Sequence, residues 1–165
     1  MSTVLAAQDA LLATCRAYAN GSVFTEANSS LNDWQVLDAP GTEYGLVIET
    51  GPTEEGDSIN NRGSQGMYQE VHRPRIHVTK KVGTGQQGYA QIINDLQATV
   101  EGLKDHIRIY NRLSSPVVSR AVTARTSESL DVIRKGGSSP MHQMQRIEMV
   151  IYCESDVPEE DEGGY

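Results

Sequence analysis

Apolar and polar positions recur along this chain with two different periods, and the changes of period divide it into elements. Val4, Leu5, Leu11, Leu12, Cys15 and Tyr18 fall on one face at helical spacing. Ser2 and Thr3 stand where a helix cap is needed, and Asn20-Gly21 tolerates the left-handed conformation in which helices end. A polar linker with Asn28, Ser29 and Ser30 follows. The pattern then predicts a short strand from Trp34 to Leu37, a turn at Asp38-Ala39-Pro40-Gly41, and a strand from Tyr44 to Thr50, which together read as a hairpin.

Between Gly51 and Gly66 the pattern lapses. Gly51, Gly56, Gly63, Gly66 and Pro52 crowd a stretch whose one aliphatic residue is Ile59, so a long inter-strand loop is expected, either a plain surface loop or one ordered by a partner. Strand character resumes from Tyr68 to Val82, with Pro74 marking an edge or a bulge. Tyr89, Ile92, Ile93, Leu96, Val100, Leu103 and Ile107 then follow steps of three and four residues, the clearest helix of the chain, with Gly102 weakening its middle by about 1 kcal/mol relative to Ala. Val117–Thr126 and Leu130–Arg134 read as strands, Lys135–Pro140 as a flexible link, and Met144–Glu154 as a last strand. On that strand Gln145, Ile147, Met149, Ile151 and Cys153 share one face, while Arg146, Glu148, Val150, Tyr152 and Glu154 share the other. Strands before and after one main helix predict an α+β fold: a mixed, largely antiparallel sheet with two helices packed on one face. The expected organisation is one domain over residues 1–154 and an acidic, flexible tail over 155–165.

Composition sharpens this picture at three points. The 165 residues suffice for a real core, but the hydrophobic share is 38% with one Phe and one Trp, and mean hydropathy is −0.45. A core that modest implies a loop-rich fold or stability drawn from neighbouring subunits. The net charge of −8 is concentrated at the end. Without Glu154, Asp156, Glu159, Glu160, Asp161 and Glu162, sixteen acids face fourteen bases, a net of −2. Such a body is poorly suited to gripping a phosphate backbone. Cys15 and Cys153 lie far apart in apolar segments with no CxxC spacing and read as reduced core residues. No apolar stretch approaches the ~20 residues of a membrane helix, and the N-terminus lacks a basic secretion-signal region.

Candidate chemistry is sparse. Gly83-Thr84-Gly85-Gln86-Gln87-Gly88 matches G-x-G-x-x-G between a predicted strand and a helix, but no acid ends a following strand where a dinucleotide ribose needs one, and no GK[ST] follows. A flexible strand-to-helix linker is the simpler reading, and a cofactor site is the alternative. His72, His77, His106 and His142 show no metal-ligand spacing, and His72 and His77 are expected on opposite faces of their strand. Arg73, Arg75 and His77 can line one strand face beside Lys80 and Lys81, read as a solvated face, a surface for a neighbour's acids or a nucleic-acid stripe. No serine sits in a nucleophile elbow, and neither a catalytic set, a metal nor a cofactor is expected.

The element order resembles the tail terminator proteins of long-tailed bacteriophages, small ring-forming subunits that cap the tail tube and join it to the head. The resemblance is carried by the N-terminal helix to Asn20, the strands at Trp34–Leu37 and Tyr44–Thr50, the loop Gly51–Gly66, the strand and main helix over Arg75–Tyr110, and the final strand Met144–Glu154. It implies a non-enzymatic virion subunit, a homo-oligomeric ring (a hexamer), a tail tube protein and a head-completion or connector protein as partners, and genomic DNA passing through without specific binding. A head-completion or stopper neck protein is the near alternative, and a small nucleotide- or ligand-binding domain using Gly83–Gly88 is the distant one. In the ring reading Glu54, Glu55, Asp57 and Arg62 form a channel or partner loop with a net charge of −2. Arg73, Arg75, Arg146, Glu148 and Tyr152 are the candidate subunit contacts.

Overall fold

The computed structural model describes residues 3–55, 67–82, 88–133 and 141–156. Among these the fold is α+β, with two helices and a mixed, mostly antiparallel sheet of eight strands. Its axis is the last strand, β8 (Met141–Asp156), sixteen residues long. One side of β8 pairs with β5 (Arg75–Lys81) along its first half and with β4 (Met67–His72) along its second. The other side pairs with β7 (Leu130–Ile133) and then β6 (Val118–Thr126). Outside β5 lies β2 (Tyr44–Glu49), and β1 (Ser29–Leu31) pairs parallel to β2. Outside β4 lies β3 (Thr53–Glu55).

A break at Pro74, the crease, interrupts the strand beside β8 while β8 runs through. Pro74 has no N–H for the ladder, so β4 and β5 part there, but its carbonyl still accepts the Met149 N–H at 2.9 Å. Next to it Gly51 lets β2 pass into β3, since a Cβ at Gly51 would stand 1.7 Å from the Arg73 carbonyl oxygen. On the far side β6 shifts register between Thr123 and Arg125, opposite Met149 and Glu148. Such shifts sharpen local twist.

The helices α1 (Thr3–Ala17) and α2 (Tyr89–Ile109) bury their apolar stripes on one sheet face. Leu11 and Cys15 of α1 and Leu96, Val100, Leu103 and Ile107 of α2 meet Leu46, Ile48, Ile76, Val78, Ile147, Met149, Ile151 and Cys153. Gly102 has a positive role here, because a Cβ there would lie 2.3 Å from the Tyr18 hydroxyl; its absence lets Tyr18 close against α2. Ala19, Asn20 and Gly21 all take left-handed φ, ending α1 as the sequence indicates. Thr3 does not spend its hydroxyl on capping but donates it to Glu70 at 2.6 Å.

Four expectations need correction. Trp34–Leu37 is not a strand: Trp34–Asp38 is a 3-10 turn, opened by Asp33, whose side chain accepts the Gln35 N–H. Asp33 as cap outweighs the strand propensity of the four residues after it, and no hairpin forms. The polar linker is instead a strand, β1, because buried Asn28 donates to the carbonyls of Val23 and Tyr44 and ties the segment beside β2. The helix faces also differ from the pattern, for Leu5 and Tyr89 are exposed and Ile92 is the buried member of its pair with Ile93. The start of the Gly51–Gly66 loop is strand β3, and residues 56–66 lie outside the described residues, as do 83–87, 134–140 and 157–165.

Candidate assembly surface

The second face of the sheet carries what chemistry the described residues offer. The 3-10 turn Trp34–Asp38 covers part of it, with Leu37 lying in the space left at Gly45, where a Cβ would stand 2.6 Å from the leucine. Strand alternation puts Arg75, His77 and Thr79 of β5 on this face, beside Val47 and Glu49 of β2 and Arg146 and Glu148 of β8. Glu49 holds two of these groups: one carboxylate oxygen accepts from Arg75 Nη1 at 2.8 Å and the other stands 3.0 Å from His77 Nε2. The Trp34 ring lies 4.6 Å from the His77 ring and covers it. Further along, Asp38 Oδ1 stands 3.0 Å from His142 Nε2.

Burial pushes His77 below its ordinary value near 6.5, the charge and hydrogen bond of Glu49 oppose that, and Arg146 and Arg75 reinforce it. A proton on Nε2 would be donated to the Glu49 carboxylate in this contact. Arg146, in register with His77, has a buried Nε with no hydrogen-bond partner among the described residues. Near the crease a pocket of about 240 Å³ is lined by Pro52, Arg73, Arg75, Ala124, Glu148, Met149 and Val150. Past it, Arg120 of β6 lies over the Tyr152 ring at 5.1 Å.

The sequence-derived contact residues thus meet in part. Arg75, Arg146 and Glu148 share one patch, and Tyr152 lies on the same face nearer the end of β8. Arg73, beyond the strand break, turns to Glu54 at 3.5 Å. Of the loop residues, Glu54 and Glu55 stand in β3, while Asp57 and Arg62 lie outside the described residues. Lys80 leaves the basic row for the helix side, where Glu43 and Tyr44 surround it at 3.3 and 3.4 Å. Burial alone would lower its pKa, but Tyr44 and Glu43 raise it on balance. His72 and His77 do face opposite ways, His72 aligning with Ile151 on the helix side and reaching Thr53. Sequence reading missed the acids that hold the histidines, Glu49 and Asp38, since both partners are remote in the chain.

A second pocket, of about 520 Å³, lies where α1 and α2 end, lined in part by Thr14, Asn20, His106 and Tyr110. Among the described residues no group of three His, Cys, Asp or Glu is placed to hold a metal ion, and no helix is long and apolar enough to cross a membrane. Cys15 and Cys153 are buried and free, with burial pushing their thiols up to about 12 and about 11.

A protein of a gene transfer agent virion shares this fold. That solved structure, described as the virion of the native gene transfer agent particle, superposes with a TM-score of 0.52 over 94% of this chain and all of that one, at 16% identity. A second solved structure, 14% identical, reaches a TM-score of 0.35 over 94% of each chain and is too distant to argue from. No protein-family model matches the chain, and no curated protein matches it.

Proposed function

We propose that this chain is a structural subunit of a phage-like virion, and within it a tail terminator: a ring that ends the tail tube and joins it to the head. The observation that carries the proposal is the fold shared with a gene transfer agent virion protein over 94% of this chain and all of that one. A gene transfer agent is a phage-like particle. The finer assignment to the tail end rests on the order of N-terminal helix, strand, long inter-strand segment, strand, main helix and last strand, with Trp34–Asp38 a 3-10 turn rather than the first strand of that order. The charged sheet face fits the role, since Arg75, Arg146 and Glu148 are half-buried together on one face of adjacent strands. In a ring, Arg73, Arg75, Arg146, Glu148 and Tyr152 contact neighbouring subunits. The loop that carries Asp57 and Arg62, with Glu54 and Glu55 at its base in β3, then faces the bore or the adjoining ring. Acids around a narrow opening repel phosphates and keep DNA from sticking. The subunit does no chemistry; its partners are the tail tube protein and a head-completion protein.

The test is genetic. A particle-producing strain lacking this chain should make filled heads and tails that do not join, with tails of irregular length by electron microscopy, and supplied protein should restore joining. Normal tails with unfilled or leaking heads would instead favour a head-completion or stopper role. Normal infectious particles would remove the virion reading.

A further inference from the structure

We infer that the ring closes by sheet extension, with the β6 edge of one copy receiving the β3 edge of the next. The inference rests on the ring reading above and adds the surface that makes it.

In the half of the sheet beyond the crease the strand order is β3-β4-β8-β6, and every neighbour is antiparallel. Its two outer edges, β3 and β6, are paired to no further strand among the described residues. An open edge is a template for another strand. On β6, Asn111 already accepts the Ala121 N–H at 2.7 Å, which leaves the backbone of Val122–Thr126 for a further strand, with Arg125 inside that length and the exposed Arg120 side chain beside it.

The two edges carry opposite charge. Glu54 pairs in register with Val71, Val71 with Tyr152, and Tyr152 with Arg120. One row across four strands therefore begins at an acid and ends at a base, on one face. Arg120 and Arg125 of β6 are exposed, and Glu54 keeps 63% of its side-chain exposure despite Arg73 at 3.5 Å. Two such exposed ions hold each other weakly, which leaves Glu54 available to a neighbour.

The directions also agree. Because the four strands alternate, β3 of a second copy laid beside β6 in the same orientation continues the antiparallel order. The contact joins two different patches of one chain, so it is heterologous and propagates until the rotation closes. The occupant of each edge is thus a second copy of this chain, chosen by charge and by strand direction together.

Charge reversal reads this out by native mass spectrometry, with the tail tube protein present and thermal melting as the check on folding. Wild type should form a closed assembly. Glu54→Arg alone, and Arg120→Glu with Arg125→Glu alone, should each lower assembly at least tenfold. All three changes in one chain should restore it, and mixing the two defective variants should give assemblies in which they alternate. Loss without rescue overturns the inference. Wild-type rings that form equally well in every variant overturn it too, yet leave the ring reading standing. A wild type that stays monomeric overturns both.

Discussion

Gly51 is the position where one methyl group should do most damage. It sits between β2 and β3, and a Cβ there would stand 1.7 Å from the Arg73 carbonyl oxygen and 2.7 Å from its carbon. Both are backbone atoms, so no side chain can turn away to make room. Relief requires the strand pair to separate, which also breaks the Arg73 N–H bond to the Pro52 carbonyl, 3.0 Å in the native fold. Overpacking costs about 1–3 kcal/mol, and a lost hydrogen bond adds about 1 kcal/mol. Gly51→Ala should therefore destabilise by about 2–4 kcal/mol, lowering Tm by roughly 4–16 °C for a chain of this size. Gly88→Ala is the control, because a Cβ there meets nothing within 4 Å. Urea unfolding followed by circular dichroism measures both. A Gly51→Ala midpoint equal to that of Gly88→Ala would mean that the strands do not approach at the crease as described.

Other outcomes follow from the core and the buried ions. Leu103→Ala, at a fully buried site on α2, should cost about 2–5 kcal/mol in the same unfolding assay, while Gln97→Ala on the exposed side should stay within about 0.5 kcal/mol. His72 and His77 both have folded-state pKa values below the ordinary 6.5, mainly through burial. Their contribution is therefore full above about 6.5 and is lost as pH falls from there towards the lower folded-state values, because the unfolded chain takes up protons first. Urea midpoints should fall between pH 7.5 and 5.5 (roughly one unit either side of the ordinary value) and fall less in a His72→Gln, His77→Gln variant; equal slopes would contradict this. Reversing Glu55 and Asp57 to Lys while keeping Glu54 should leave rings intact but slow DNA passage in a salt-relieved way, seen in ejection kinetics.

The parts legible in the sequence were those fixed by local period. The α2 stripe from Leu96 to Ile107 and the alternation of β8 each follow from one segment's own residues, and both stand as read. Pro74 reads in the sequence as an edge or a bulge within one strand stretch; it proves to separate β4 from β5, although the reason, a proline with no N–H to donate, was legible. What escaped depended on distant partners. Ser29–Leu31 has no strand pattern of its own and becomes β1 through Asn28 bridging to Tyr44. Trp34–Asp38 has strand-forming residues but lies flat on the second face, its Trp against His77. The candidate surface was half visible: alternation placed Arg75 with His77 and Arg146 with Glu148. No pattern showed that Glu49 joins Arg75 to His77, or that Glu54 and Arg120 end the same row.

The proposal that this chain is a ring-forming virion subunit is tested most directly by the native mass of the purified protein in the presence of the proposed tail tube protein. The expected result is a closed assembly at an integral multiple of 18.0 kDa, six copies by the tail terminator resemblance, seen as a ring at the tube end by electron microscopy. A chain that remains at 18.0 kDa at every concentration and leaves the tube end bare would contradict it.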